Sequence, residues 1–151
     1  MNESPMMWFA LSDEARPAFE VARHWLLAAT NSRHAVTWSP LPDPLTPLAE
    51  HVVAESGMHA PRAAICHRTG GLPVHRDAQN PYPCMNALVV FRDRCEGGAL
   101  WFPDDESEFR CDDGWVYVFD GQRPHSVSNT KRTGKGGYRL GLTFYMPLED
   151  W

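Results

Sequence analysis

From Arg62 onward the chain is a succession of about eight short extended runs broken by Gly, Asp and Pro turns, and this rhythm constrains the fold most. The runs fall near residues 62–68, 72–77, 85–92, 98–102, 107–111, 115–119, 124–129 and 138–146, and they are rich in β-branched and aromatic side chains. Many short strands with frequent turn signals close into a sandwich or barrel, and eight fit a jelly roll. The first third differs. Ser12 can cap a helix over residues 13–29, with Phe19, Ala22, Leu26 and Ala29 on one stripe. After the Pro-rich connector Ser39-Pro40-Leu41-Pro42, Asp43 and Pro44 can open a second helix through Leu45, Leu48 and Val52, closed by Gly57. The expected architecture is mainly β, with two N-terminal helices covering a sheet.

Length limits what else can be present. A chain of 151 residues and 17.1 kDa with 43% hydrophobic residues can bury one sizeable core and no second domain of ordinary size. We therefore expect a single domain over 1–151, with helical support over 1–61 and a β core over 62–147. No apolar stretch approaches the ~20 residues a membrane-spanning helix needs. The first residues lack the basic start and apolar run of a secretory signal, which reads as a cytoplasmic or otherwise intracellular protein. Cys66, Cys84, Cys95 and Cys111 form no Cys-x-x-Cys pair, so they read as reduced structural thiols. A net charge of −5 argues against a strong nonspecific grip on nucleic acid.

The chemistry concentrates in four residues. His75 and Asp77 follow the turn at Gly70-Gly71 in an extended segment, where residues i and i+2 share a face, so both side chains point together. His125 stands in another short run after the turn at Asp120-Gly121. Two imidazoles and one carboxylate on one side of an ion leave the opposite positions open, the arrangement that suits non-haem Fe(II) oxygenases. Arg139 opens the run Arg139-Leu140-Gly141-Leu142-Thr143-Phe144-Tyr145, where a permanent cation on an otherwise apolar strand needs a reason. An acidic co-substrate beside the metal would supply one.

Taken with Gly97-Gly98-Ala99-Leu100-Trp101-Phe102-Pro103 and the aromatic run Gly114-Trp115-Val116-Tyr117-Val118-Phe119, these residues resemble the Fe(II)/2-oxoglutarate-dependent dioxygenase superfamily over about residues 62–147. The resemblance implies a double-stranded β-helix of the cupin-like kind. It also implies Fe(II) on His75, Asp77 and His125, and 2-oxoglutarate held by Arg139, with dioxygen as second co-substrate. Many relatives carry a co-substrate-contacting Tyr shortly before His-x-Asp, where this chain offers Cys66 and His67. His67 and Asn86 are further candidates for co-substrate contact. The loop leaving Asp77 brings Gln79, Asn80 and Tyr82 forward as substrate contacts.

For the substrate, the Gly-Gly run and the stretch from His125 to Arg139 resemble compact ten-eleven-translocation and J-base thymine-hydroxylase domains. That resemblance implies hydroxylation of a methylated base in DNA, 5-methylcytosine or thymine, with Tyr82, Trp101 or Phe102 stacking the extracted base. The basic residues Arg123, Lys131, Arg132 and Lys135 would face the anionic polymer, opposite an acidic hairpin at 104–113. The alternatives are hydroxylation of a prolyl or other protein side chain or of a small molecule, and a non-enzymatic cupin-like binding module. His24, His34, His51 and His59 read as surface or packing residues.

Overall fold

Strict alternation along the longest strands decides how the layers stack. The structure is a computed structural model and describes residues 6–68 and 70–149. In its C-terminal strand, the even residues Leu140, Leu142, Phe144 and Met146 are fully buried against the helical layer, while Arg139, Gly141, Thr143 and Tyr145 face a cleft between two sheets. One strand thus contributes to the core on one face and to the site on the other.

Twelve strands and two helices make up the described chain: β1 (Met7–Ala10), α1 (Arg16–Ala29), β2 (Ala35–Trp38), α2 (Thr46–Ser56), β3 (Ala64–Arg68), β4 (Leu72–His75), β5 (Cys84–Asp93), β6 (Cys95–Gly97), β7 (Leu100–Phe102), β8 (Ser107–Phe109), β9 (Trp115–Phe119), β10 (His125–Val127), β11 (Thr130–Arg132) and β12 (Tyr138–Pro147). They form an antiparallel six-stranded sheet in the order β1-β9-β5-β12-β3-β2, a four-stranded sheet β4-β10-β7-β8, and the ribbon β11-β6. The six-stranded sheet buries one face beneath the helices; Phe19 of α1 stacks on Phe91 of β5 at 4.4 Å and 7°. Between the two sheets lies a second apolar cluster that includes Leu88, Val90, Leu100, Phe102, Tyr117 and Phe119.

All eight expected runs contain strands, with β3, β4, β7, β8 and β10 shorter than expected. Four strands had not been expected: β1 and β2 are too short to carry a period, and β6 and β11 form a small ribbon around Gly97. The helix starts also differ. Each α-helix is preceded by a 3-10 turn, Asp13–Ala15 and Asp43–Leu45. Ser12 sits at the cap position of the first turn, yet its side chain makes no capping bond; its backbone N–H donates to Glu55 Oε1 at 2.8 Å. Asp43 lies inside the second turn, with Pro42 at its cap. Gly57 closes α2 at φ 73°, a left-handed residue where glycine carries no side-chain penalty. The four cysteines are free thiols, three of them buried.

Phe19→Ala should cost about 3–5 kcal/mol in urea unfolding, because it empties the helix–sheet interface. Val21→Ala, two residues away and 55% exposed, should stay within about 0.5 kcal/mol.

Candidate functional site

Strand pairing brings the two histidines together. β10 runs antiparallel to β4 with His125 opposite His75, and their rings lie 4.3 Å apart. Each Nδ1 meets the backbone carbonyl two residues earlier, His75 on Pro73 and His125 on Arg123, both at 2.7 Å. A carbonyl only accepts, so each Nδ1 carries the proton and each Nε2 keeps its lone pair free. Both free atoms turn to one oxygen: Asp77 Oδ1 lies 3.3 Å from His75 Nε2 and 3.6 Å from His125 Nε2. The three donor atoms fall within 4.8 Å of one another. Bonds of about 2.0–2.2 Å to a divalent ion put neighbouring donors about 3 Å apart, so the set can close on one ion with small adjustment. His125 is only 5% exposed, and burial pushes its acid form below the ordinary range, which keeps the imidazole in its ligating state.

Asp77 is held on every side. Asn86, 2% exposed, donates its amide to Oδ2, which leaves Oδ1 as the oxygen facing the histidines. The Asp77 backbone N–H donates to Gly121 at 2.8 Å, and Gln122 returns a side-chain bond to the Asp77 carbonyl. A Cβ at Gly121 would lie 2.7 Å from both Asn86 Nδ2 and Asp77 Oδ2, so the turn before His125 approaches this closely only as glycine. The segments that carry Asp77 and His125 are therefore fastened to each other.

Arg139 enters the same cleft from β12. It is 3% exposed, its Nε donates to the Gly98 carbonyl at 3.1 Å, and its Nη2 is buried with no hydrogen-bond partner among the described residues. The Gly97-Gly98 pair explains how this geometry arises. Both residues have positive φ, and a Cβ on Gly98 would sit 2.4 Å from Arg139 Cδ. Glycine there lets the backbone close over the guanidinium and fix its direction.

The cleft has a volume of about 770 Å³, and its walls include the three donors, Arg139, His67 and Asn86. His67 lies across the β3–β12 pair from Gly141, between the levels of Arg139 and Tyr145. Burial, and after it the neighbouring His34 and His75, holds its acid form below the ordinary range. Gln79 and Asn80 line the cleft. Tyr82 does not line this cleft: its hydroxyl donates to the Tyr145 carbonyl at 2.6 Å and receives the Arg62 N–H at 3.0 Å, which straps the loop to the end of the interior strand β12. Phe102 is fully buried against Phe119 at 5.2 Å, and Trp101 alternates to the opposite face of β7, so neither faces the cleft. Arg123 is not part of a free basic loop; it lies over Phe102 and pairs with Asp105 at 2.6 Å. The sequence reading missed Tyr145, whose phenol lines the cleft and is pushed up to about 12 by burial and then by the charge of Asp77. Thr143 and Tyr145 continue the odd series begun at Arg139, and that alternation was the available signal.

Comparison with known proteins follows this geometry. No protein-family model matches the chain, and no curated protein matches it. Among solved structures it is similar to the viral collagen prolyl hydroxylase of Paramecium bursaria Chlorella virus-1, at 12% identity and a TM-score of 0.65, covering 95% of this chain and 96% of that one. It is also similar to an oxidoreductase of the 2OG-Fe(II) oxygenase family from Burkholderia pseudomallei (17% identity, TM-score 0.62, 93% and 84% covered). A third similar structure is NgTET1 in complex with 5mC DNA (12% identity, TM-score 0.56, 93% and 71% covered). Likeness at this identity carries the fold, and the fold is the double-stranded β-helix expected above.

If Asn86 holds Asp77 as the geometry implies, Asn86→Ala should weaken Mn(II) binding by roughly 10–100-fold in calorimetric titration, the usual effect of removing a partner behind a metal ligand. The circular dichroism spectrum should stay unchanged.

Proposed function

We propose that this chain is an Fe(II)- and 2-oxoglutarate-dependent dioxygenase that hydroxylates a C–H bond. In this reading His75, Asp77 and His125 hold the metal, and Arg139 holds the far carboxylate of the co-substrate. The observation that carries it is Arg139 Nη2, a buried cationic donor with no hydrogen-bond partner among the described residues, in the cleft that also contains the three metal-type donors. A buried charge is tolerated when it is paired, and a dicarboxylate would pair it. A cupin-like module that only binds metal has no use for that cation.

When bound, Fe(II) with 2-oxoglutarate and dioxygen supplies the oxidising chemistry. The chain's own residues do the positioning. Asn86 donates to Asp77, so its expected contact with the co-substrate gives way to orienting a ligand. The two carbonyl-bound imidazoles offer neutral Nε2 atoms. Arg139, anchored by Gly98, would give a carboxylate a planar, two-pronged partner. His67 faces the space between and is the remaining candidate for a co-substrate contact. The apolar wall made by Leu88, Leu100 and Val127 keeps water from that space.

For the substrate, a protein side chain is the reading the geometry supports better. The ribbon carrying Lys131 and Arg132 adjoins Gly97, whose neighbour Gly98 accepts from Arg139, so these cations lie behind the Arg139 end of the cleft. The metal-type donors lie at the other end, where Asn86 pairs with Tyr145. A methylated base in DNA is the second reading, favoured by the likeness to NgTET1 in complex with 5mC DNA. Changing Lys131, Arg132 and Lys135 together to Ala tests it: a DNA enzyme should bind duplex more weakly with a shallower salt slope, whereas a peptide enzyme should keep its turnover.

Succinate release from Fe(II), 2-oxoglutarate and air tests the reaction itself. His75→Ala, Asp77→Ala and His125→Ala should each abolish it in a folded protein. Arg139→Ala should raise the 2-oxoglutarate requirement by roughly two orders of magnitude, with Arg139→Lys intermediate, while Mn(II) affinity stays near the parent value.

A further inference from the structure

Two sheet edges flank the cleft, and they are not equivalent. β4, on the four-stranded side, is blunted: Pro73 has no N–H, and its carbonyl is occupied by His75 Nδ1. β2 is the outer strand of the six-stranded sheet on the same flank, with the sequence Ala35-Val36-Thr37-Trp38. It carries neither proline nor charge, the usual devices that protect an edge from pairing.

The hydrogen-bond parity of β2 can be worked out from its neighbours. Arg68 donates to His34 at 2.9 Å, and Tyr145 donates to Ala63 at 3.1 Å. In β3 the even residues therefore bond to β2 and the odd residues to β12, so Val36 and Trp38 face β3 in the ladder. The N–H and C=O groups of Ala35 and Thr37 point away from the sheet. The Thr37 side chain lines the metal cleft, and Ser39 lines both that cleft and a neighbouring one of about 550 Å³ bounded by Pro40, Leu41 and Pro61. A row of backbone groups unpaired among the described residues thus runs along the cleft mouth into a second, mostly apolar hollow.

We propose that the β2 edge is a docking rail for an extended peptide, which adds a strand at Ala35 and Thr37 and sends a flanking residue toward the Pro40–Leu41 hollow. The inference rests on the dioxygenase reading and deepens it, since it makes the substrate a segment of polypeptide. Main-chain pairing supplies affinity with little sequence demand, and the hollow and the cleft select side chains. A nucleic acid backbone has no matching alternation of donors and acceptors, so this edge favours a peptide.

The test uses the full chain, a pool of nonapeptides with central Pro, Lys or Asn, and duplex DNA containing 5-methylcytosine. Succinate release is measured alone and with each addition, and a stimulating peptide is carried into amide hydrogen exchange by NMR. That peptide should slow exchange at Ala35 and Thr37 by roughly tenfold or more while leaving Val36 and Trp38, already in the ladder, unchanged. Thr37→Pro removes an outward N–H and should weaken that peptide by a similar factor, whereas Thr37→Val, which keeps the N–H, should hold the peptide far more tightly than Thr37→Pro does. The exchange measurement on the parent decides the matter even if Thr37→Pro fails to fold. Peptide stimulation without protection at Ala35 and Thr37, or stimulation by DNA and by no peptide, overturns the rail and leaves the dioxygenase reading standing. Absence of 2-oxoglutarate turnover under every condition overturns both.

Discussion

The site depends on one carboxylate being unable to turn. Asp77 is fastened through its side chain by Asn86, through its N–H by Gly121 and through its carbonyl by Gln122, so a single oxygen is left for the two imidazoles. Those imidazoles are aimed in their turn by the carbonyls of Pro73 and Arg123. The Arg123 side chain is pinned between Phe102 and Asp105, which extends the support into the acidic hairpin. The function of these partners is to hold three donors at spacings that one ion can close, so that little ordering remains for the metal to impose.

The same economy governs the other end of the cleft. β12 places fully buried Leu140, Leu142 and Phe144 beneath the helices and, on the alternate residues, leads from Arg139 to Tyr145 along the cleft floor. A one-residue slip of β12 would exchange the core for the cleft, so the packing of the helices fixes the register of Arg139. Glycine at 98 completes the arrangement, because only a residue without Cβ lets the chain approach Arg139 closely enough to accept its Nε–H.

Much of this was legible in the chain before the fold was known. The eight runs, the two helices, the shared face of His75 and Asp77, and the strand cation Arg139 follow from periodicity and from the rarity of a charge in an apolar strand. Three misjudged features depend on contacts between distant segments. Tyr82 lies in the loop that leaves Asp77 but is drawn away by Arg62 and Tyr145. Arg123 counts as basic in the sequence and is neutralised by an aspartate on a neighbouring hairpin. Asn86 looked like a ligand contact, and its tie to Asp77 appears only when β5 crosses beneath the turn. Strands as short as β2 carry too few residues for alternation to speak.

Anaerobic addition of Fe(II) and then 2-oxoglutarate, followed by visible absorption, tests the central claim most directly, because a metal-to-ligand charge-transfer band requires the metal and the 2-oxo acid to occupy the site together. The account predicts a band that saturates at one Fe(II) per chain and that needs 2-oxoglutarate in place of its one-carboxylate analogue pyruvate at equal concentration. No band with either acid, or an equally strong band with pyruvate, would contradict it.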